Sequence, residues 1–304
     1  MLRAFLIALS EARWAQRLVM HWRLAQRVAN RFMAGEQPAD AIRVASELNA
    51  RGILVTLDHL GENTTSAAEA EQATADIVLM LDEIDRSGAR ANVSIKLSQI
   101  GLAQDKKLCA DNLGRILTRA RESGNFVRID MEGSRTTDPI LNQYQQMRRS
   151  GFNNVGVVIQ SYLMRTPDDL AMLVQQQARV QLTKGAYREP REVAYPHKAD
   201  VDKHYDRLVE LMLAGALAGG APLLSADGRT PPIAAIATHD LRRIEHAISY
   251  AHKIGLPRAA LEFQMLYGIR SDLRDQLVAE GYPVRVYLPY GAHWYPYFMR
   301  RLAS

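Results

Sequence analysis

Val155-Gly156-Val157-Val158-Ile159-Gln160-Ser161-Tyr162 runs on into Thr166-Pro167-Asp168-Asp169, and then into Val180-Gln181-Leu182 and Lys184-Gly185-Ala186-Tyr187. An unbroken apolar run of about five residues, rich in valine and isoleucine, suits a strand buried on both faces, the mark of a parallel sheet. Thr166 reads as a helix cap and Pro167 as a first-turn residue that needs no N–H. Asp168 and Asp169 then lie at the positive end of the helix dipole. The stretch is a strand–helix–strand unit, and its texture recurs on both sides. Further runs lie at 53–57, 93–95, 126–129, 233–237, 261–263 and 284–287. Between them, Ser66-Ala67-Ala68-Glu69 forms a capping box whose helix closes at Gly88. Asp240 caps a helix ending near Gly255, and Ser271 one ending at Gly281. About eight such units in roughly 250 residues predict a (β/α)8 TIM barrel, class α/β, over residues 51–304. A helical segment, 1–50, broken at Gly35-Glu36-Gln37-Pro38, packs on it. A doubly wound open sheet is the rival. No Gly-x-Gly-x-x-Gly follows an early strand, so a dinucleotide-binding crossover lacks support.

The chain has 304 residues, 47% hydrophobic and 23% charged, enough for a substantial core. Its net charge of +5 is spread along the chain and interleaved with acids. With no basic run or stacking platform, nucleic acid is disfavoured as a partner. The surplus suits an acidic small molecule or an anionic membrane surface. The single cysteine, Cys109, rules out an internal disulfide and fits a reducing, cytoplasmic setting. It falls in an amphipathic helix, 106–117, and reads as structural despite the neighbouring Lys106 and Lys107. No run reaches the roughly 20 apolar residues of a membrane span.

Active sites of barrels form where the strands finish. Here the strands end at Asp58-His59, Lys96, Asp130, Gln160-Ser161-Tyr162, Lys184, Thr238-His239-Asp240, Gln264 and Tyr287. So many hydrogen-bonding groups converging on one rim predict an active site. His59, His239 and His293 lack metal-ligand spacing, so no metal is expected. Lys96 and Lys184 sit where a Schiff-base lyase or aldolase keeps its lysine, and that is the rival chemistry. An ion pair of Lys96 with Asp130 is the structural alternative. The last helix opens Tyr295-Pro296-Tyr297-Phe298-Met299 and sets Arg300 beside Arg301. Paired guanidinium forks near a helix start suit a small carboxylate, and each charged hydrogen bond is worth about 1.5–3 kcal/mol.

Taken in order, Ser94-Ile95-Lys96-Leu97-Ser98, Arg128-Ile129-Asp130-Met131-Glu132, Gln160-Ser161-Tyr162 and Lys184-Gly185-Ala186-Tyr187 resemble the proline dehydrogenase family. So do Ala237-Thr238-His239, Phe263-Gln264-Met265-Leu266-Tyr267-Gly268, Tyr287-Leu288-Pro289-Tyr290-Gly291 and Tyr297-Phe298-Met299-Arg300-Arg301-Leu302. The likeness runs from about Arg51 to the end and is to the monofunctional bacterial type. It implies a distorted barrel holding FAD without a covalent bond. It further implies oxidation of L-proline to Δ1-pyrroline-5-carboxylate by hydride transfer from C5 to flavin N5, with electrons passing to a membrane quinone. A cytoplasmic protein in peripheral contact with the membrane fits that role.

Carried over by position, the resemblance gives Arg300 and Arg301 to the proline carboxylate. Lys96 and Asp130 line the substrate pocket, with Asp130 ordering its polar network. Tyr187, Leu266, Tyr287 and Tyr297 wall the ring. Met131, Gln160, Lys184, Gly185, Ala186, Thr238 and His239 contact the flavin. Two positions depart from the family pattern. Gln181 stands where the family carries an arginine near N5, which implies a weaker hold on reduced flavin. Ser304 stands where a glutamate pairs with the arginine clamp. A flavin- or amino-acid-binding homologue with reduced turnover is the further alternative these departures raise.

Overall fold

The computed structural model describes residues 31–61 and 64–302, with side chains as far as Met299. Residues 1–30, most of the expected N-terminal helical segment, lie outside the described residues. Eight strands close into one parallel barrel in sequence order. They are β1 (Leu54–His59), β2 (Ala91–Ile95), β3 (Val127–Ile129), β4 (Val155–Gln160), β5 (Arg179–Thr183), β6 (Ala234–Ala237), β7 (Leu261–Leu266) and β8 (Val284–Tyr290). Helix α1 (Pro38–Asn49) precedes the barrel. Then α2 (Ala67–Ser87), α3 (Lys106–Glu122), α4 (Thr137–Arg149) and α5 (Thr166–Gln175) follow β1 to β4. After β5 to β8 come α6 (Lys198–Ala218), α7 (Leu241–Ile254), α8 (Ser271–Ala279) and α9 (Trp294–Leu302). Each predicted apolar run coincides with a strand, and five strands end later than predicted, at His59, Gln160, Thr183, Leu266 and Tyr290.

Two of the four helix starts form as expected. Ser66 accepts from Glu69 N, and Gly88 ends α2 in the left-handed region at φ +69. Asp240 accepts from Arg242 N at the start of α7. The expected cap at Thr166 does not form. Its hydroxyl instead donates to the Gln160 carbonyl at 2.6 Å, fastening the helix to the strand before it. Nor does Ser271 cap: it is the first residue of α8, and the chain turns at Arg270 with φ +46.

The strands alternate between two environments, as their period of two requires. Val55, Val93, Val127, Val157, Leu182, Ile236, Phe263 and Val286 belong to the core that the helices cover. The opposite face lines the lumen and is polar. At its base, Arg285 on β8 grips Glu262 on β7 with two hydrogen bonds, 2.9 and 3.0 Å, and both residues are all but inaccessible. Arg128 of β3 crosses the lumen to the Arg179 carbonyl of β5. Gly156 makes room for it, since a Cβ there would lie 2.5 Å from Arg128 Nη1. Apolarity on one face only was enough to mark these strands, because the lumen residues are single polar insertions in apolar runs.

The last helix is tied to the segment before the first strand. Ala34 N donates to the Pro289 carbonyl at 2.9 Å and Gly291 N to the Gly35 carbonyl at 3.0 Å. Trp294 donates to Glu36 at 3.1 Å. Around these bonds Met33, Leu60, Trp294, Tyr295, Tyr297, Phe298 and Met299 form a separate apolar cluster.

Candidate active site

The strand ends bring Lys96, Asp130 and Tyr287 together. Parallel register sets Asp58 beside Ser94 and Thr56 beside Tyr287, so β8, β1, β2 and β3 present these side chains on one arc. Lys96 Nζ donates to Asp58 Oδ1 and Oδ2, each at 3.1 Å, and lies 3.4 Å from Asp130 Oδ2. It is also 3.4 Å from the Tyr287 hydroxyl. Tyr287 donates to Asp130 Oδ2 at 2.7 Å, and Ser94 donates to Asp130 Oδ1 at 2.5 Å. Burial pushes the Asp130 carboxyl above its ordinary range, with Lys96 pulling it down and Asp58 pushing it up. Burial likewise raises the Tyr287 phenol far above its usual value, with Asp130 adding to the effect. Tyr287 therefore stays a neutral donor to an acidic partner. The ion pair of Lys96 with Asp130, the structural alternative raised from the sequence, is present, but the shorter contacts go to Asp58.

Leu266 ends β7 beside this arc, and its N–H donates to His239 Nε2 at 2.9 Å. Tyr297 is buried at 9% exposure on α9. Tyr187, by contrast, is 41% exposed on the loop after β5. The side chains of Arg300 and Arg301, and Ser304, lie outside the described residues.

The expected flavin contacts occupy the other arc, β3 to β6. Met131, Gln160, Gln181 and Thr238 are all buried. Gln160 donates to the Met131 carbonyl at 3.3 Å, while its side-chain oxygen is buried with no donor facing it. Lys184 donates to Asp202 of α6 at 2.5 Å and to Asp240 at 2.7 Å. Burial opposes ionisation of these two carboxyls, but the hydrogen bonds from Lys184 leave both below the ordinary range. Gly185 has φ +111, and a Cβ there would sit 2.5 Å from Tyr162 Cε1. The Tyr162 ring therefore packs directly on the Gly185 backbone, a close approach that only glycine allows.

These residues fit a flavin: an orphaned amide oxygen at Gln160 and a buried amide at Gln181. Each lysine is tied to two carboxylates, whereas a Schiff-base lysine needs a free amine. Among the described residues no group of three or more His, Cys, Asp or Glu could hold a metal ion. Cys109 is buried, and burial pushes its thiol up to about 12, so the lysines beside it in sequence do not activate it.

Several contributors carry weak sequence signals. Asp58 is visible as a strand end but has no assigned role. Asp202 and Glu189 lie in a helix and a loop, and only folding reveals them. Glu189 accepts from Ser134 N at 2.7 Å and from its hydroxyl, joining the loops after β5 and β3.

A family model for proline dehydrogenase matches residues 41–303. Proline dehydrogenase of Deinococcus radiodurans is 41% identical over 288 residues, covering 93% of this chain and 86% of that protein. Proline dehydrogenase 2 of Bacillus subtilis (strain 168) is 35% identical over 303 residues, covering 99% and 94%. A solved structure of proline utilization A from Bdellovibrio bacteriovorus, inactivated by N-propargylglycine, aligns with a TM-score of 0.82 at 26% identity. That alignment spans 92% of this chain and 33% of the larger protein.

Proposed function

The chain belongs to the proline dehydrogenase family, and we propose that it oxidises L-proline to Δ1-pyrroline-5-carboxylate with FAD as its cofactor. The observation that carries this reading is the division of the barrel mouth. An ionic cluster of Lys96, Asp58, Asp130 and Tyr287 occupies the strand ends of β8 to β3. Gln160, with its unsatisfied amide oxygen, buried Gln181 and Gly185 occupy the arc of β4 and β5. FAD, when bound there, supplies the hydride acceptor at its N5.

The residues of the chain do the rest. Met131, Gln160, Gln181, Lys184, Gly185, Ala186, Thr238 and His239 hold the cofactor. Arg300 and Arg301 clasp the proline carboxylate from α9. Lys96 and Asp130 line the pocket, with Asp130 ordering its polar network. Tyr187, Leu266, Tyr287 and Tyr297 wall the pyrrolidine ring and exclude water, so that C5 is held towards the cofactor. Electrons then leave to a quinone. No helix among the described residues is long and apolar enough to cross a membrane. The route to the quinone in this reading is peripheral contact with the membrane, which the basic surplus favours.

Purified protein is expected to be yellow, and anaerobic L-proline is expected to bleach the flavin band. A flavin spectrum that proline leaves unchanged would overturn the reading. Borohydride is expected to trap no substrate on Lys96 or Lys184.

A further inference from the structure

We propose that Asp58 is a positioning residue for proline oxidation: by gripping the Lys96 ammonium with both oxygens, it leaves Asp130 free to hold the Tyr287 hydroxyl. The proposal rests on the reading of the site given above.

Asp58 is the deepest member of the cluster. Its side chain is 1% exposed, against 11% for Lys96 and 14% for Asp130. It cannot reach a substrate in the lumen and must act through its neighbours. Its two contacts to Lys96, both 3.1 Å, are shorter than the 3.4 Å from Lys96 to Asp130. Asp130 meanwhile accepts from Ser94 and Tyr287 at 2.5 and 2.7 Å. The two carboxylates thus divide the donors: Asp58 takes most of the cation, and Asp130 takes the neutral hydroxyls.

Packing alone does not call for this arrangement. One layer deeper on the same two strands, Thr56 donates to Asn92 at 2.6 Å, a neutral pair filling the equivalent space. A buried ion pair is weak support for a fold, because desolvation offsets most of the attraction. The charge at residue 58 therefore has its effect on Lys96. Without it, the ammonium would shift towards Asp130, 3.4 Å away, and compete with Tyr287 for the same oxygen. Among the described residues, the groups around Asp58 that can titrate are Lys96 just after β2, Asp130 just after β3, Tyr287 and Tyr290 on β8, and His59 beside it on β1.

The test uses full-length, flavin-loaded Asp58→Asn and Asp58→Glu beside the parent, scored by proline kinetics, flavin content, melting temperature and pH profile. Asp58→Asn is isosteric and is expected to keep its flavin and melt within a few degrees of the parent. Its KM for proline should rise about tenfold or more, with kcat changed by less than about threefold, as when binding rather than chemistry is lost. The acid limb of kcat/KM should move to lower pH, because Asp130 loses the neighbouring negative charge that favours its protonation. Asp58→Glu should recover part of the lost affinity. An Asn variant with parental KM and pH profile overturns the proposal. So does one whose losses follow its melting temperature while the acid limb stays in place, since that pattern marks a structural role. A parent that binds flavin yet shows no proline turnover fails the underlying reading, and this proposal with it.

Discussion

Gly185 is where the geometry leaves least latitude. At φ +111 any side chain is strained, and a methyl group there meets the Tyr162 ring. Gly185→Ala is expected to cost about 1–3 kcal/mol of stability and to lower the flavin absorbance per protein. Full flavin occupancy in that variant would show that the backbone there does not face the cofactor. His204 offers a second test. Its Nδ1–H donates to the Ser161 carbonyl at 2.5 Å, and its ring meets Tyr195 edge-on. Burial lowers its pKa below 6.5, although the Ser161 carbonyl works in the other direction. The folded protein thus binds this proton less readily than the unfolded chain does. The stabilising contribution is present above about pH 6.5 and is lost as the pH falls through the folded value. Melting temperature should decline from pH 7 to pH 5, and His204→Gln should flatten that decline. An equal slope in both proteins would rule His204 out as its source.

Among the elements, β5 carries the departure with the largest consequence. Gln181 is buried on its lumen face, level with Val158 of β4, where the family resemblance calls for a cation. An amide can donate a hydrogen bond but adds no charge to stabilise a reduced, anionic ring. Gln181→Arg should raise the midpoint potential of the bound flavin, read by spectroelectrochemistry, and an unmoved potential would refute this. The strand itself was plain from sequence, as were the other seven, because core-facing valines and isoleucines leave an apolar run wherever a strand is buried. Where the helices start was less legible. Thr166 and Ser271 are good cap residues by type, but a tertiary acceptor, the Gln160 carbonyl, claims the first, and the left-handed turn at Arg270 displaces the second. Lys96, Asp130 and Tyr287, which the structure brings together, were also legible, since each closes or follows an apolar run. Asp58 was visible as a strand end but its role was not, and Asp202 was not visible at all, because the importance of both comes from a lysine on another element.

At the scale of the whole molecule, the barrel is filled with charge as well as hydrocarbon. Arg128, Glu262 and Arg285 each sit singly between apolar neighbours, so nothing local says that they meet; ring closure brings them together. Glu262→Gln would leave Arg285 without a counter-charge at 1% exposure and is expected to cost about 3–5 kcal/mol, measured by denaturant unfolding. A loss under about 1 kcal/mol would mean that water or another acceptor relieves the arginine. The helix bearing Arg300 and Arg301 rests on Met33 and Glu36, which come before the first strand, and the chain leading into it is bonded to Ala34 and Gly35. A chain trimmed to start at Pro38 would retain every stave of the cylinder yet lose the mooring of its far end, so an injury at the head of this protein would be felt at its tail.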